Sequence, residues 1–380
     1  MNEVRKKVRE FTKTSLTILL TILSLSLSLE IFLRFVFPQI EQSIYTNGIP
    51  LSMPDTELGS VPNPNAHAIH RNPEFSPDYE IDYKINNQGF RDHQIYSNPK
   101  SQNTLRLLIL GDSFAYGVGN NYSKIWTVIF ENRLKEQNYT VEVIKAGVPG
   151  YDTRRECLYL KRLYNTFKPD IVVINFLFND LFTNLPLKEG PPKGRKENIK
   201  VKDRITLWYR MNDIVSSLHV LALSKRALLY NDSVYSQIYL ITRRGTYFDT
   251  SSQILKRQLE TTKGLFAQVV QFAELNTFQL IIFSIPQQFQ IMNRYNTDLE
   301  VDYVDRKLKR FAEQHGFHWV SSLDILATVY NNEGENLYYR IDGHLNNKAN
   351  KVIGEHFAAE TVKIINANDV KIENVSPHTK

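Results

Sequence analysis

Four short apolar runs stand out along the chain: LLIL at 107–110, VEVI at 141–144, IVVINF at 171–176 and LIIFSI at 280–285. Each is bounded by turn residues, and continuous hydrophobicity over so few positions predicts strands buried on both faces. Elsewhere the apolar spacing lengthens, and 123–136, 153–167, 252–275, 300–315 and 348–364 read as helices. In 252–275, Leu255, Leu259, Phe266, Val269, Val270 and Ala273 fall on one side at helical spacing. Apolar strands alternating with amphipathic helices predict an α/β fold, a parallel sheet covered by helices on both faces. The weakly alternating IDYKINNQGF (81–90) reads as an edge strand ending at Gly89.

The N-terminus follows a different pattern. TSLTILLTILSLSLSL (14–29) is sixteen residues without a charge, preceded by Arg5, Lys6, Lys7, Arg9 and Lys13. Continuing it to Phe37 gives enough length for a hydrocarbon core of about 30 Å. Glu30 and Arg34 are then spaced to pair near the far interface. No small-x-small cleavage pattern follows, so 14–37 is expected to be an uncleaved signal anchor. Residues 1–13 would stay cytoplasmic, and everything beyond about Pro38 would be exported to the periplasm or the cell exterior. Residues 38–80, rich in Pro, Asn and Ser from 48 onward, read as an extended linker, and 81–366 as the main domain. LKEGPPKGRKENIKVK and the amphipathic stretch after it, about 187–250, read as a helical insertion capping the sheet edge. Residues 367–380 read as a flexible tail.

Composition narrows the chemistry. Lys and Arg total 46 against 40 Asp and Glu, and their scatter argues against a nucleic-acid partner. Cys157 is the only cysteine, which excludes an intrachain disulfide and a thiolate metal cluster. Thr153 and Glu156 look like a capping box opening its helix, so Cys157 reads as a small buried apolar residue. His67/His70 and His315/His318 lack a third ligand, and no metal is expected. The glycines of GDSFAYGVG fit neither a P-loop nor a dinucleotide fingerprint, and no cofactor is expected.

Sites in parallel sheets gather at the carboxyl ends of strands. Four segments fall there: GDSFAYGVG (111–119), KAGVPGYDT (145–153), the FLFND that continues the third strand, and YYRIDGHLN (338–346). Each alone is ordinary turn or cap chemistry. Together they resemble the four blocks of the SGNH/GDSL hydrolase superfamily, and INNQGFRD upstream resembles the lead-in of its membrane-anchored bacterial members. The resemblance implies the three-layer α/β/α, flavodoxin-like fold of that family and an acyl-serine mechanism. Ser113 would be the nucleophile, His344 its base, and Asp342 the acid that fixes the imidazole. The backbone N–H groups of Ser113 and Gly150 and the amide of Asn179 would form the oxyanion hole, with Gly147 competing for the Gly150 role.

Two departures stand out. Leu177 replaces the family's glycine in the third block, which would narrow or reshape the site. The usual Asp-x-x-His is shortened to Asp-x-His, with Ile341 at the expected acid position. Asp112 reads as a loop organiser outside the triad. The implied activity is that of a serine esterase or acyltransferase acting on acyl esters, acetyl above all, of cell-envelope carbohydrate. The alternatives are a non-catalytic glycan- or partner-binding domain and a lipase or thioesterase whose 204–245 segment lines an acyl pocket.

Overall fold

The computed structural model describes residues 2–36, 44–46, 48–72, 78–184, 218–296, 298–340 and 342–367. Its strands are β1 (Ile44–Thr46), β2 (Ser52–Asp55), β3 (Gly59–Pro62), β4 (His67–Asn72), β5 (Tyr79–Lys84), β6 (Leu105–Gly111), β7 (Val141–Gly147), β8 (Ile171–Leu177), β9 (Gln279–Ile285) and β10 (His318–Ser321). The central sheet has the order β10-β9-β8-β6-β7 and every pairing in it is parallel. All four apolar runs lie in its strands, and Leu107, Leu108, Ile109 and Leu110 are fully buried.

Side chains alternate between the two faces of this sheet. Leu108 and Leu110 join one core with Leu160, Phe266 and Leu308, which come from the helices Thr153–Phe167, Gln253–Asn276 and Tyr303–His315. Leu107 and Ile109 join the other with Phe130, Leu326 and Phe357, from Trp126–Glu136, Leu323–Glu333 and Asn347–Ala367. The result is three α/β/α layers, as the patterning implied. The fifth strand, β10, lacks an apolar signature because it is only four residues long and carries His and Ser at its ends.

Residues 48–72, expected within an extended linker, are folded. β2 and β3 form a hairpin, and β4 pairs antiparallel with both β1 and β5. The Pro, Asn and Gly content belongs to tight turns, with Asn65 at φ 61° and Gly59 at φ 80°. The hairpin is tied to the domain by Arg162, which pairs with Asp55 and Glu57, and by the Tyr151 hydroxyl donating to Ser60 O at 2.7 Å. The expected edge strand at 81–90 begins earlier, at Tyr79, and ends at Lys84. The helix at 153 also departs from expectation. Asp152, one residue earlier, is its N-cap and accepts from Arg155 N–H at 3.0 Å.

Asn2–Val36 is one helix, and its apolar side chains from Leu16 to Ile31 are largely exposed. Within it, Glu3–Val36 is long and apolar enough to cross a membrane. Arg34 Nε donates to Glu30 Oε1 at 2.8 Å, the pairing its spacing suggested. Glu30 also accepts the N–H groups of His219 and Val220 at 3.1 and 2.9 Å, which docks the start of helix His219–Leu229 onto the apolar helix. The described part of the insertion continues as Asp232–Tyr247 and packs on the domain through Tyr239, stacked 4.5 Å from Phe289. The basic loop, the first half of the amphipathic stretch, Ile341 and the tail beyond 367 lie outside the described residues.

Candidate active site

β6 ends at Gly111, and the chain turns at once into the four-residue helix Ser113–Tyr116. Asp112 caps it, accepting the Phe114 N–H at 2.8 Å. Two glycines leave room for this turn. A Cβ on Gly111 would sit 2.6 Å from the Ala115 Cβ, and one on Gly147 would sit 2.4 Å from the Tyr116 nitrogen. Gly147 is thus needed as a flat surface beneath the serine turn. Gly150 differs: its φ is 83°, it is exposed, and a Cβ there would touch nothing.

The loop carrying Asp342 and His344 is closed on itself. Tyr339 N–H donates to His344 O at 2.8 Å and Gly343 N–H to Tyr339 O at 2.7 Å, with Gly343 at φ 78°. This left-handed glycine lets the shortened spacing put both side chains on the same side. His344 Nε2 lies 2.8 Å from Ser113 Oγ, and its Nδ1 is hydrogen-bonded to Asp342 Oδ2. Two further bonds hold this loop against the serine turn. Asn120 Nδ2 donates to Leu345 O at 2.7 Å, and the Tyr339 hydroxyl donates to Gly119 O at 2.9 Å.

Sheet register sets the remaining candidates. Gly111 lies opposite Gly147 and Leu110 opposite Ile174, so the ends of β7 and β8 flank the serine turn on its two sides. The first leads to Gly150 and the second to Asn179, which is half-buried at the start of helix Asp180–Thr183. Leu177 is buried in the same core as Phe114.

Sequence reasoning missed several residues of this region. Asn72 Nδ2 donates to Asp342 Oδ1 at 2.6 Å, and the Tyr79 hydroxyl donates to Asp342 Oδ2 at 3.1 Å. Burial alone would raise the Asp342 carboxyl, but His344, the Tyr79 hydroxyl and His70 outweigh it and hold the group below the ordinary carboxylate range. His70 is buried and lowered to about 4, chiefly by desolvation, so it is neutral at physiological pH.

Arg91, within the INNQGFRD segment, is buried behind the serine turn. Its Nη1 donates to Tyr116 O and Gly117 O at 2.7 and 2.8 Å, and its Nη2 to Asn120 O at 2.6 Å. The rings of Tyr83 and Tyr116 lie 4.4 and 5.0 Å from the guanidinium carbon. Below the turn sits a set of buried acids. Burial pushes Asp112 up to about 6, and burial with mutual repulsion pushes Glu156 and Asp180 well above their ordinary values. Neither carboxyl oxygen of Glu156 has a hydrogen-bond partner among the described residues. Of the paired histidines, His67 lies 2.6 Å from Asp82, and His315 Nδ1 is 2.9 Å from Phe311 O.

Residues 109–352, which hold the serine turn, both flanking strand ends and the Asp-Gly-His loop, match the model of the GDSL-like lipase/acylhydrolase family. The chain belongs to this family. An arylesterase from Vibrio mimicus is 32% identical over 99 residues, which cover 26% of this chain and 47% of that protein. The chain thus spans about half the length of that curated relative. Among solved structures, a psychrotrophic esterase from Pseudoalteromonas sp. is similar at 13% identity, covering 69% of this chain and 99% of that one, with a TM-score of 0.40. An acetyl xylan esterase is similar at 14% identity, covering 67% and 98%, with a TM-score of 0.39. Asn72, Tyr79 and Arg91 all precede the span matched by the GDSL family model.

Proposed function

We propose that this GDSL-family chain is a serine esterase that forms an acyl-enzyme on Ser113. One observation carries the proposal: the continuous hydrogen-bonded series from Ser113 Oγ through the His344 imidazole to the Asp342 carboxylate. A serine hydroxyl needs a base to become nucleophilic at neutral pH, and His344 Nε2 is within reach of its proton. As Oγ bonds to the ester carbonyl carbon, the proton passes to Nε2, and the carbonyl oxygen takes up the negative charge. Asp342, held ionised, steadies the imidazolium so formed.

The oxyanion is received by the N–H groups of Ser113 and Gly150 and the side-chain amide of Asn179, each such donor contributing roughly 3 kcal/mol. Collapse breaks the bond to the leaving alkoxide, which takes the proton from Nε2. The acyl group remains on Ser113. A second hydroxyl, from water or from a sugar, then gives its proton to Nε2 and releases the acyl group by the reverse path.

The substrate class we assign is acetyl or another short acyl ester on cell-envelope carbohydrate, met by a domain held at the membrane surface through the N-terminal helix. The apolar character of that helix supports the placement. The half-exposed Ser113 and exposed Gly150 support access by a bulky acceptor. The test uses the full-length protein in detergent with p-nitrophenyl acetate, p-nitrophenyl decanoate and an O-acetylated polysaccharide. Acetyl release that disappears in Ser113→Ala is expected, with the decanoate a poor substrate. Equal turnover by Ser113→Ala overturns the nucleophile, and preference for the decanoate overturns the substrate class.

A further inference from the structure

Among the described residues Asp342 takes part in three hydrogen bonds, and one of them, with His344, lies within its own loop. The other two cross from the N-terminal strands, from Asn72 at the end of β4 and from Tyr79 at the start of β5. The pair is itself joined, since Asn72 Nδ2 also reaches the Tyr79 hydroxyl at 3.2 Å. Both side chains are buried, with Asn72 7% and Tyr79 6% exposed. The Tyr79 ring is fixed by neighbours on two elements, 5.2 Å from the His70 ring on β4 and 5.1 Å from the Tyr339 ring on the Asp342 loop. Two adjacent strand ends therefore present two rigid donors to the carboxylate that orients the imidazole.

We infer that the β4–β5 pair is a working part of the catalytic centre, with Asn72 and Tyr79 as positioning residues that hold Asp342 for His344. The inference rests on the proposed function above. The physical need lies in the short Asp-Gly-His spacing. The left-handed Gly343 leaves the Asp342 side chain on a tight, self-closed loop, where an untethered carboxylate could rotate away from Nδ1. A donor on each oxygen removes that freedom. Both donors also draw charge from the carboxylate, and so set how strongly Asp342 attracts the imidazolium. The other titratable groups around the pair, among the described residues, are His70 on β4, Asp78 just before β5, Tyr83 on β5, Tyr339 and His344 on the loop, and Asp112 on the serine turn, which faces His344.

The sign of the expected effect follows. In Tyr79→Phe, Asp342 loses a donor, its carboxylate becomes more basic, and His344 holds its proton more tightly. Activity needs neutral His344, so the acidic limb of the kcat/KM profile moves to higher pH, by on the order of half a unit to one unit. Asn72→Ala frees the other oxygen and lowers kcat about tenfold, as expected for one charge-assisted hydrogen bond. KM stays unchanged in both, because both residues act through Asp342, to which their side chains donate.

The experiment measures kcat, KM and their pH profiles on p-nitrophenyl acetate for the full-length wild type, Tyr79→Phe, Asn72→Ala and Ser113→Ala, with thermal unfolding of each. An upward-moved acidic limb in Tyr79→Phe and a kcat-only fall in Asn72→Ala support the inference. A wild-type limb in Tyr79→Phe with only a lower Tm, or a loss confined to KM, overturns it. Residual wild-type turnover in Ser113→Ala is a separate outcome that removes the nucleophile assignment itself.

Discussion

Replacing Arg91 tests whether the lead-in strand region supports the serine turn. Arg91 is 3% exposed, and its guanidinium donates three hydrogen bonds to the main-chain carbonyls of Tyr116, Gly117 and Asn120. In Arg91→Met the apolar stem keeps most of its packing, but three buried acceptors lose a charged donor. A carbonyl left without a partner costs about 1–3 kcal/mol, and partial relaxation brings the expected total to roughly 3–5 kcal/mol. For a domain of this size that corresponds to a fall in Tm on the order of 10 °C. Total stabilities are about 5–15 kcal/mol, so the variant should still fold.

The consequence for chemistry is separate. Tyr116 and Gly117 close the helix that begins at Ser113, and Asn120 also bonds Leu345 O beside His344. Loosening them shifts Ser113 relative to His344, and a displacement of about 1 Å can cost 100-fold in rate. Arg91→Lys keeps the charge but not the fork, and should fall between the two. The assay is thermal unfolding of full-length protein together with the rate of fluorophosphonate labelling. Arg91→Met matching the wild type in both measurements would refute the reasoning.

Two further predictions concern the neighbouring glycines and the buried acids. Gly147→Ala should damage both stability and activity, because its Cβ would sit 2.4 Å from the Tyr116 nitrogen and 2.6 Å from the Ala115 carbonyl carbon. Gly150→Ala meets no neighbour, so it should carry only the backbone strain of a left-handed residue, about 1–2 kcal/mol, visible by thermal unfolding. Glu156 should make folding stability fall with rising pH. Its folded-state carboxyl is raised above the ordinary value of 4.5, mainly by burial and then by Asp180, so its contribution is complete below that value and lost as pH climbs through the raised one. Glu156→Gln should flatten that dependence and raise Tm at pH 8; an unchanged pH slope would count against the buried, neutral acid.

The sheet was legible because buried parallel strands leave continuous apolar runs, and the runs ending at 110, 144, 176 and 285 all lie in central strands. β10 was not, since four residues with polar ends carry no such run. Residues 48–72 were misread because short strands joined by tight turns share the Pro, Asn and Gly content of a linker. At the site, Ser113, Asp342 and His344 could be picked out because each sits in a local pattern, and the structure brings the three together. Asn72 and Tyr79 could not, since their contacts with Asp342 span 270 and 263 positions and depend wholly on how β4 and β5 are placed. The role of Arg91 could not be read either, since its carbonyl partners lie 25 to 29 positions further along the chain. The capping box at Thr153 failed to form because Asp152, one position earlier, took the cap.

The most direct measurement of the central claim is mass spectrometry of the full-length protein after reaction with a fluorophosphonate, with the modified residue located by peptide sequencing. The account predicts a single adduct on Ser113, none in Ser113→Ala, and a rate at least 100-fold slower in His344→Ala, where the hydroxyl loses its base. An adduct on another residue, or labelling of Ser113 at the wild-type rate without His344, would contradict it.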